Sequence, residues 1–218
     1  MNTFLQNLLL GVTRPKKLYS MLSEKSNLNN AIWIALAIGI VHVLQLIHDQ
    51  TLASFFQKLK HPGLLGMVLY AVIAGLLYFL QTGFQVLLNV VCIKIVFYFL
   101  HIKSNIRVLV TVLTFTLLPL LIRESIRALW TDYEGALGFG GQYKISYYKT
   151  SLAQLVANSN FTHKIGFYLL SEFEIFTIWS FILGAIAVAV VGKVSYKISS
   201  SIMLFSWIVS SIVFLIST

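Results

Sequence analysis

In 218 residues the chain carries 58% hydrophobic and only 11% charged side chains, with a mean hydropathy of +0.84. Soluble domains carry about 25% charged residues, so a water-facing globule is excluded, and the long unbroken apolar blocks exclude the short alternating strands of a β-barrel. The net charge of +9, from 16 Lys+Arg against 7 Asp+Glu, is read as basic loops beside membrane helices on the cytoplasmic side, not as a nucleic-acid surface.

Residues 4–12 (FLQNLLLGV) are apolar but short, and the basic cluster Arg14, Lys16, Lys17 follows them instead of preceding them. That order does not fit a cleavable signal peptide. Phe4, Leu5, Leu8 and Leu9 share one helical face, and Pro15 separates this piece from a second amphipathic stretch, 16–25. Both are expected on the membrane surface. Residues 1–30 therefore read as a cytoplasmic amphipathic segment and 31–218 as a single membrane domain.

The first span is expected at 31–48, after cap residues between Ser26 and Asn30. On it, His42, Gln45 and Asp49 share a face. His42 has no second ligand at metal spacing, so it reads as a hydrogen-bonding packing residue and not as a metal site.

The 38 residues 63–100 hold one charge, Lys94. A hairpin broken at Gln81-Thr82-Gly83 leaves arms of about 17 residues, the lower limit for crossing about 30 Å of hydrocarbon. It also buries Lys94 near the bilayer centre, at a cost of at least about 2.5 kcal/mol. With one long helix, Lys103, Arg107, Lys193 and Lys197 fall on the same side as Arg14, Lys16, Lys17 and Lys25, as the positive-inside rule expects. The single helix is preferred; it is roughly 57 Å long and must tilt or project. Gln81, Gln85 and Asn89 recur every four residues along it. Lipid cannot satisfy amides, so this stripe is expected to face the bundle, holding helices together or, alternatively, lining a path. Cys92, the only cysteine, offers no disulfide within the sequence and reads as a packing residue.

Further spans are expected at 106–129, containing Pro119, and at 173–192 and 198–216. The fold is thus all-α: a polytopic membrane protein of five transmembrane helices with an overlong second one, N-terminus cytoplasmic and C-terminus outside. Loops 49–62 and 131–167 then face outside, the latter with Tyr143, Tyr147, Tyr148 and a formal glycosylation sequon at Asn160-Phe161-Thr162. Near the outer face, Arg123, Glu124 and Arg127 meet Glu172 and Glu174 at similar depth, and an interhelical ion pair is expected among them. The odd span count argues against a simple inverted-repeat transporter. No P-loop, HExxH, GxSxG or acidic metal cluster occurs, so no enzyme, cofactor or metal is implied.

One further pattern is order. RPKKLYSML (14–22) with Pro15 precedes one span and a long second helix. Then follow a short basic turn before Val108, a helix with mid-span Pro119, and FEIFTIWSFILGAIAVAVVGKVS (173–195) with Phe176 and Trp179 ahead of Gly184. This resembles the Yip family of Ypt/Rab-interacting membrane proteins in its bacterial form, over nearly the whole chain. The sequence departs from many relatives in having His101-Ile102-Lys103-Ser104 where they place a glycine pair. The resemblance implies a five-helix bundle without catalytic residues, and an accessory or assembly role beside an ABC-type exporter, including ones tied to antimicrobial peptides. A transporter or channel using the polar stripe is the alternative, and a membrane-shape organiser acting through residues 1–25 a weaker one. Expected partners are membrane lipids and other membrane proteins, with no nucleic acid.

Overall fold

A computed structural model of the chain describes residues 3–24, 28–48, 64–126 and 174–217. All regular structure among them is helical, with no strand. In chain order the helices are α1 Thr3–Thr13, α2 Pro15–Glu24, α3 Leu28–His48, α4 Leu64–Phe99, α5 Ile106–Phe115, α6 Ile175–Gly192 and α7 Tyr196–Ser217. Among the described residues, four stretches are long and apolar enough to cross a membrane: Gly75–Phe99, Ile106–Ile126, Ile175–Gly192 and Tyr196–Val213. α3 adds a shorter described apolar stretch, Ala31–Val41.

Local chemistry sets the element ends. Pro15 opens α2 at its first helical position, where a missing N–H leaves nothing unpaired. Arg14 is the hinge: its N–H donates to Leu10 O (2.8 Å) and its carbonyl accepts from Lys17 N and Leu18 N. Pro119 cannot donate to the carbonyl of Phe115 and its ring crowds that carbonyl. The chain responds by tightening at 116–117, where Thr116 N and Leu117 N donate to Leu113 O and Thr114 O, both at 3.1 Å. Helix resumes over 118–126.

α4 and α6 both end on left-handed residues that are not glycine: His101 at φ 55° and Lys193 at φ 52°. In each case a backbone bond reaches back five residues, Ile102 N to Phe97 O (2.8 Å) and Val194 N to Ala189 O (3.2 Å). This is the helix-ending arrangement usually given to glycine. His101 therefore does the work that a glycine would do in that turn.

α5 is the hub. It packs against α2, α3, α4 and α6, while α4 also touches α3 and α7, and α6 touches α7. Residues 111–119 are buried without interruption. Over its most apolar 18 residues α5 and its continuation are 61% buried, against 28–33% for the other three candidate spans. Two glycines permit close approach: a Cβ on Gly39 would lie 3.3 Å from Gly75 O, and one on Gly192 would lie 2.7 Å from Phe97 Cζ. Phe97 is fully buried, so the Gly192 contact locks the end of α6 against the end of α4. The turns 100–105 and 193–195 consequently sit at one end of the bundle.

The N-terminal segment and the apolar helices share one core in the packing. α2 docks on α5 and α6, and its Leu18, Tyr19 and Leu22 belong to the same core as Ile34, Phe97 and Val188. An amphipathic pattern says that one face must leave water but not whether lipid or protein receives it; here protein does. Leu8 and Leu10 of α1 also pack on the core, whereas Leu9 and Val12 are exposed.

Tyr19 is fully buried, and its hydroxyl has no hydrogen-bond partner among the described residues. Burial raises its pKa above the ordinary phenol value, because the phenolate is penalised by desolvation. The unfolded chain releases this proton near pH 10 and the folded chain holds it, so Tyr19 leaves stability unchanged below that pH and lowers it above. Tyr19→Phe is expected to unfold later than wild type at every pH, by about 1–3 kcal/mol at neutral pH. The gap should widen above about pH 10. Thermal unfolding in detergent from pH 8 to 11 measures both, and a Tyr19→Phe protein less stable than wild type contradicts the account.

Candidate functional site

Three polar features stand on this frame. The first is the basic end. Lys94 is half-buried five residues before the end of α4, and its Nζ donates to Ser104 O at 2.6 Å and Ser104 Oγ at 3.3 Å. Asn105 caps α5, its side-chain oxygen accepting from Arg107 N at 2.9 Å. Lys103, Arg107, Lys193 and Lys197 are exposed around the two turns. Arg14, Lys16 and Lys17 join them, because the start of α2 lies beside Val190 near the end of α6. Eight of the nine Lys and Arg residues among the described residues thus gather at one end. Tyr98 and Tyr196, 78% and 51% exposed, stand among them as interfacial tyrosines do.

The second feature ties α4 to α7. Asn89 Oδ1 accepts from Ser206 Oγ at 2.6 Å and from Ser210 Oγ at 2.9 Å. Interhelical bonds of this kind contribute about 0.6 kcal/mol each on average. The serines were missed in the sequence, although Ser199, Ser206 and Ser210, all buried, recur at spacings of seven and four on one helical face. Within the expected stripe, Gln85 is half-buried and Gln81 is exposed. Gln81 is thus exposed where the sequence reading expected it to face the bundle. A step of four residues advances about 40° beyond a full turn, so the stripe rotates out of the interface over two steps. Gln81 also lies about 27 Å along α4 from its basic end.

The third feature is an ion network at the other end. Arg123 Nη1 meets Glu174 Oε2 at 2.7 Å, joining the helix after α5 to the start of α6. Its Nε and Nη2 meet Glu124 Oε1 at 2.6 and 2.5 Å. The glutamate side chains are 3% and 4% exposed and that of Arg123 is 19% exposed. Arg123 stands about 26 Å along the helix from Ile106, so the basic end and this network lie a bilayer thickness apart. No group of three His, Cys, Asp or Glu side chains converges among the described residues. The network can hold two helix ends together.

Of the other residues singled out, Arg127 and Glu172 lie outside the described residues, as do Asp49 and loops 49–62 and 131–167. His42 and Gln45 fall on α3, outside the described side chains. Pro119 and Gly184 are buried, Gly184 against Met203 of α7. Trp179 is half-buried against the core, and Pro15 and Phe176 are half-buried. Cys92 is buried.

No family model, curated protein or solved structure matches this chain.

Proposed function

We propose that the chain is a non-enzymatic, multi-pass accessory or assembly factor of a membrane complex, and that an ABC-type exporter, the partner implied by the Yip-like order of its elements, is the complex it serves. In this reading α3 and the whole of α4 are the first and second of five plasma-membrane spans. The basic end faces the cytoplasm and the C-terminus lies outside. Cysteines introduced at Ser195, in the basic turn, and at Ser146, in the long loop, are expected to be labelled from opposite sides of the membrane. Labelling from one side sinks the five-span arrangement.

The observation that carries the accessory role is the outer face of α4. Leu69, Val72, Leu76, Leu80, Leu87 and Ile95 are each half or more exposed. From Leu69 to Ile95 this row is about 39 Å long, against about 30 Å of hydrocarbon. Lipid alone covers it only at a tilt of about 40°, the upper end of what membrane helices show. A neighbouring protein alongside the row removes the mismatch.

A photo-crosslinking residue at Leu77, 61% exposed on this row, is expected to capture a permease subunit in native membranes. The same residue at Ile212, exposed on α7, is expected not to. Capture of lipid alone at both positions counts against the role. The alternative of a solute path along the polar stripe has less support, because Asn89 is already engaged by two serines and Gln81 faces outward. The docking of α2 into the core likewise weakens a membrane-shaping role for residues 1–25.

A further inference from the structure

A groove runs along the surface where α4 turns into α5. Val91, Ile95, Tyr98 and Ile106 form its apolar wall, and Lys94, Lys103 and Ser104 close its end at the basic turn. Lys94 belongs to a helix with no other charge in 36 residues. Its ammonium carries three donors, and its two hydrogen bonds both go to neutral oxygens of Ser104. No carboxylate among the described residues pairs with it or with Lys103. The start of α5 adds the partial positive charge of a helix N-terminus beside the same serine. Tyr98 and Phe99, ring centroids 5.8 Å apart, mark the level of the headgroups.

The groove therefore offers an open apolar surface that ends at two cations and a hydroxyl. We infer that it is a binding site for one anionic glycerophospholipid, its phosphate held between Lys94, Lys103 and Ser104 and its acyl chain laid along Val91, Ile95 and Ile106. A zwitterionic lipid brings its own cation to the same place and loses the advantage. The site does not depend on which complex the chain serves.

Titration of the purified full chain, in neutral detergent, with phosphatidylglycerol, phosphatidylcholine or inorganic phosphate tests it, with bound lipid read by native mass spectrometry. Phosphatidylglycerol is expected to bind at least tenfold more tightly than phosphatidylcholine. Each lysine near a lipid surface contributes about fivefold. Lys94→Gln/Lys103→Gln is thus expected to lose about 25-fold for phosphatidylglycerol while leaving phosphatidylcholine unchanged. Lys103→Gln alone leaves the Lys94–Ser104 bonds intact, and about a fivefold loss in this folded variant supports the site without any question of folding. Lys193→Gln/Lys197→Gln, on the neighbouring turn, is expected to retain wild-type binding. Equal affinity for the two lipids overturns the inference. So does an equal loss in both double variants, which means diffuse surface charge, or displacement of the lipid by millimolar inorganic phosphate, which means a free-anion site.

Discussion

Arg123→Leu is expected to destabilise the bundle by about 3–5 kcal/mol, the usual consequence of stripping the cation from a buried ion pair. The wild-type guanidinium faces Glu174 with one nitrogen and Glu124 with two. Both carboxylates are almost fully buried, so their charge is not screened by water as it would be at a surface. Removing Arg123 leaves two like charges at the junction of α5's continuation and α6. Arg123→Lys keeps the charge but not the fork that spans both glutamates, and an intermediate loss is expected. Arg123→Leu/Glu174→Gln is expected to recover part of the stability by removing one of the two buried carboxylate charges. Reversible unfolding in mixed detergent micelles measures the series. A loss below about 1 kcal/mol for Arg123→Leu would place the network with exposed ion pairs and remove its role as a tie.

Leu18→Ala is expected to cost about 2–5 kcal/mol, the range for truncating a leucine inside a packed core. Leu9→Ala, at a position 57% exposed on α1, is expected to stay within about 0.5 kcal/mol. The contrast separates two fates for the same amphipathic segment. A helix resting on lipid loses membrane affinity in either variant but leaves the bundle's unfolding unchanged. A helix docked between α5 and α6 couples its leucines to the global transition. Equal, small effects of Leu18→Ala and Leu9→Ala on unfolding would return residues 1–24 to the membrane surface.

How much of this was legible in the residues depends on whether the cause is local. Pro15 and Pro119 interrupt helices through a missing N–H and a ring, which act within four residues and can be read directly. The expected spans 31–48, 173–192 and 198–216 lie close to α3, α6 and α7, since apolar length is also a local property. Arg123 and Glu174 could be bracketed as interhelical partners because each sits near the end of its span, at similar depth. Ser206 and Ser210 could not be assigned to Asn89, because pairing a serine with an asparagine over a hundred residues away needs the rotation of both helices. The exposure of Gln81 follows from the same cause: residues four apart rotate by about 40° per step, so a stripe that starts in the contact at Asn89 turns away from it by Gln81.

By itself, the sequence determined that the chain is helical and apolar enough for a bilayer, where its helices break, and that its short turns are basic. These follow from side-chain chemistry and from the period of the α-helix. Only the tertiary structure decided which helix is central and what covers each apolar face. Lipid tails and a protein interior are about equally apolar, so hydropathy cannot tell a buried span from a lipid-facing one. α6 is the most apolar of the candidate spans, yet a third of it is buried, while the less apolar α5 and its continuation form the hub. α5 is central because its buried run 111–119 is contacted from four sides, by α2, α3, α4 and α6. Around it Gly39 lets α3 close on α4, Phe97 of α4 fills the space beside Gly192 of α6, and α2 seals the basic end with Leu18 and Tyr19.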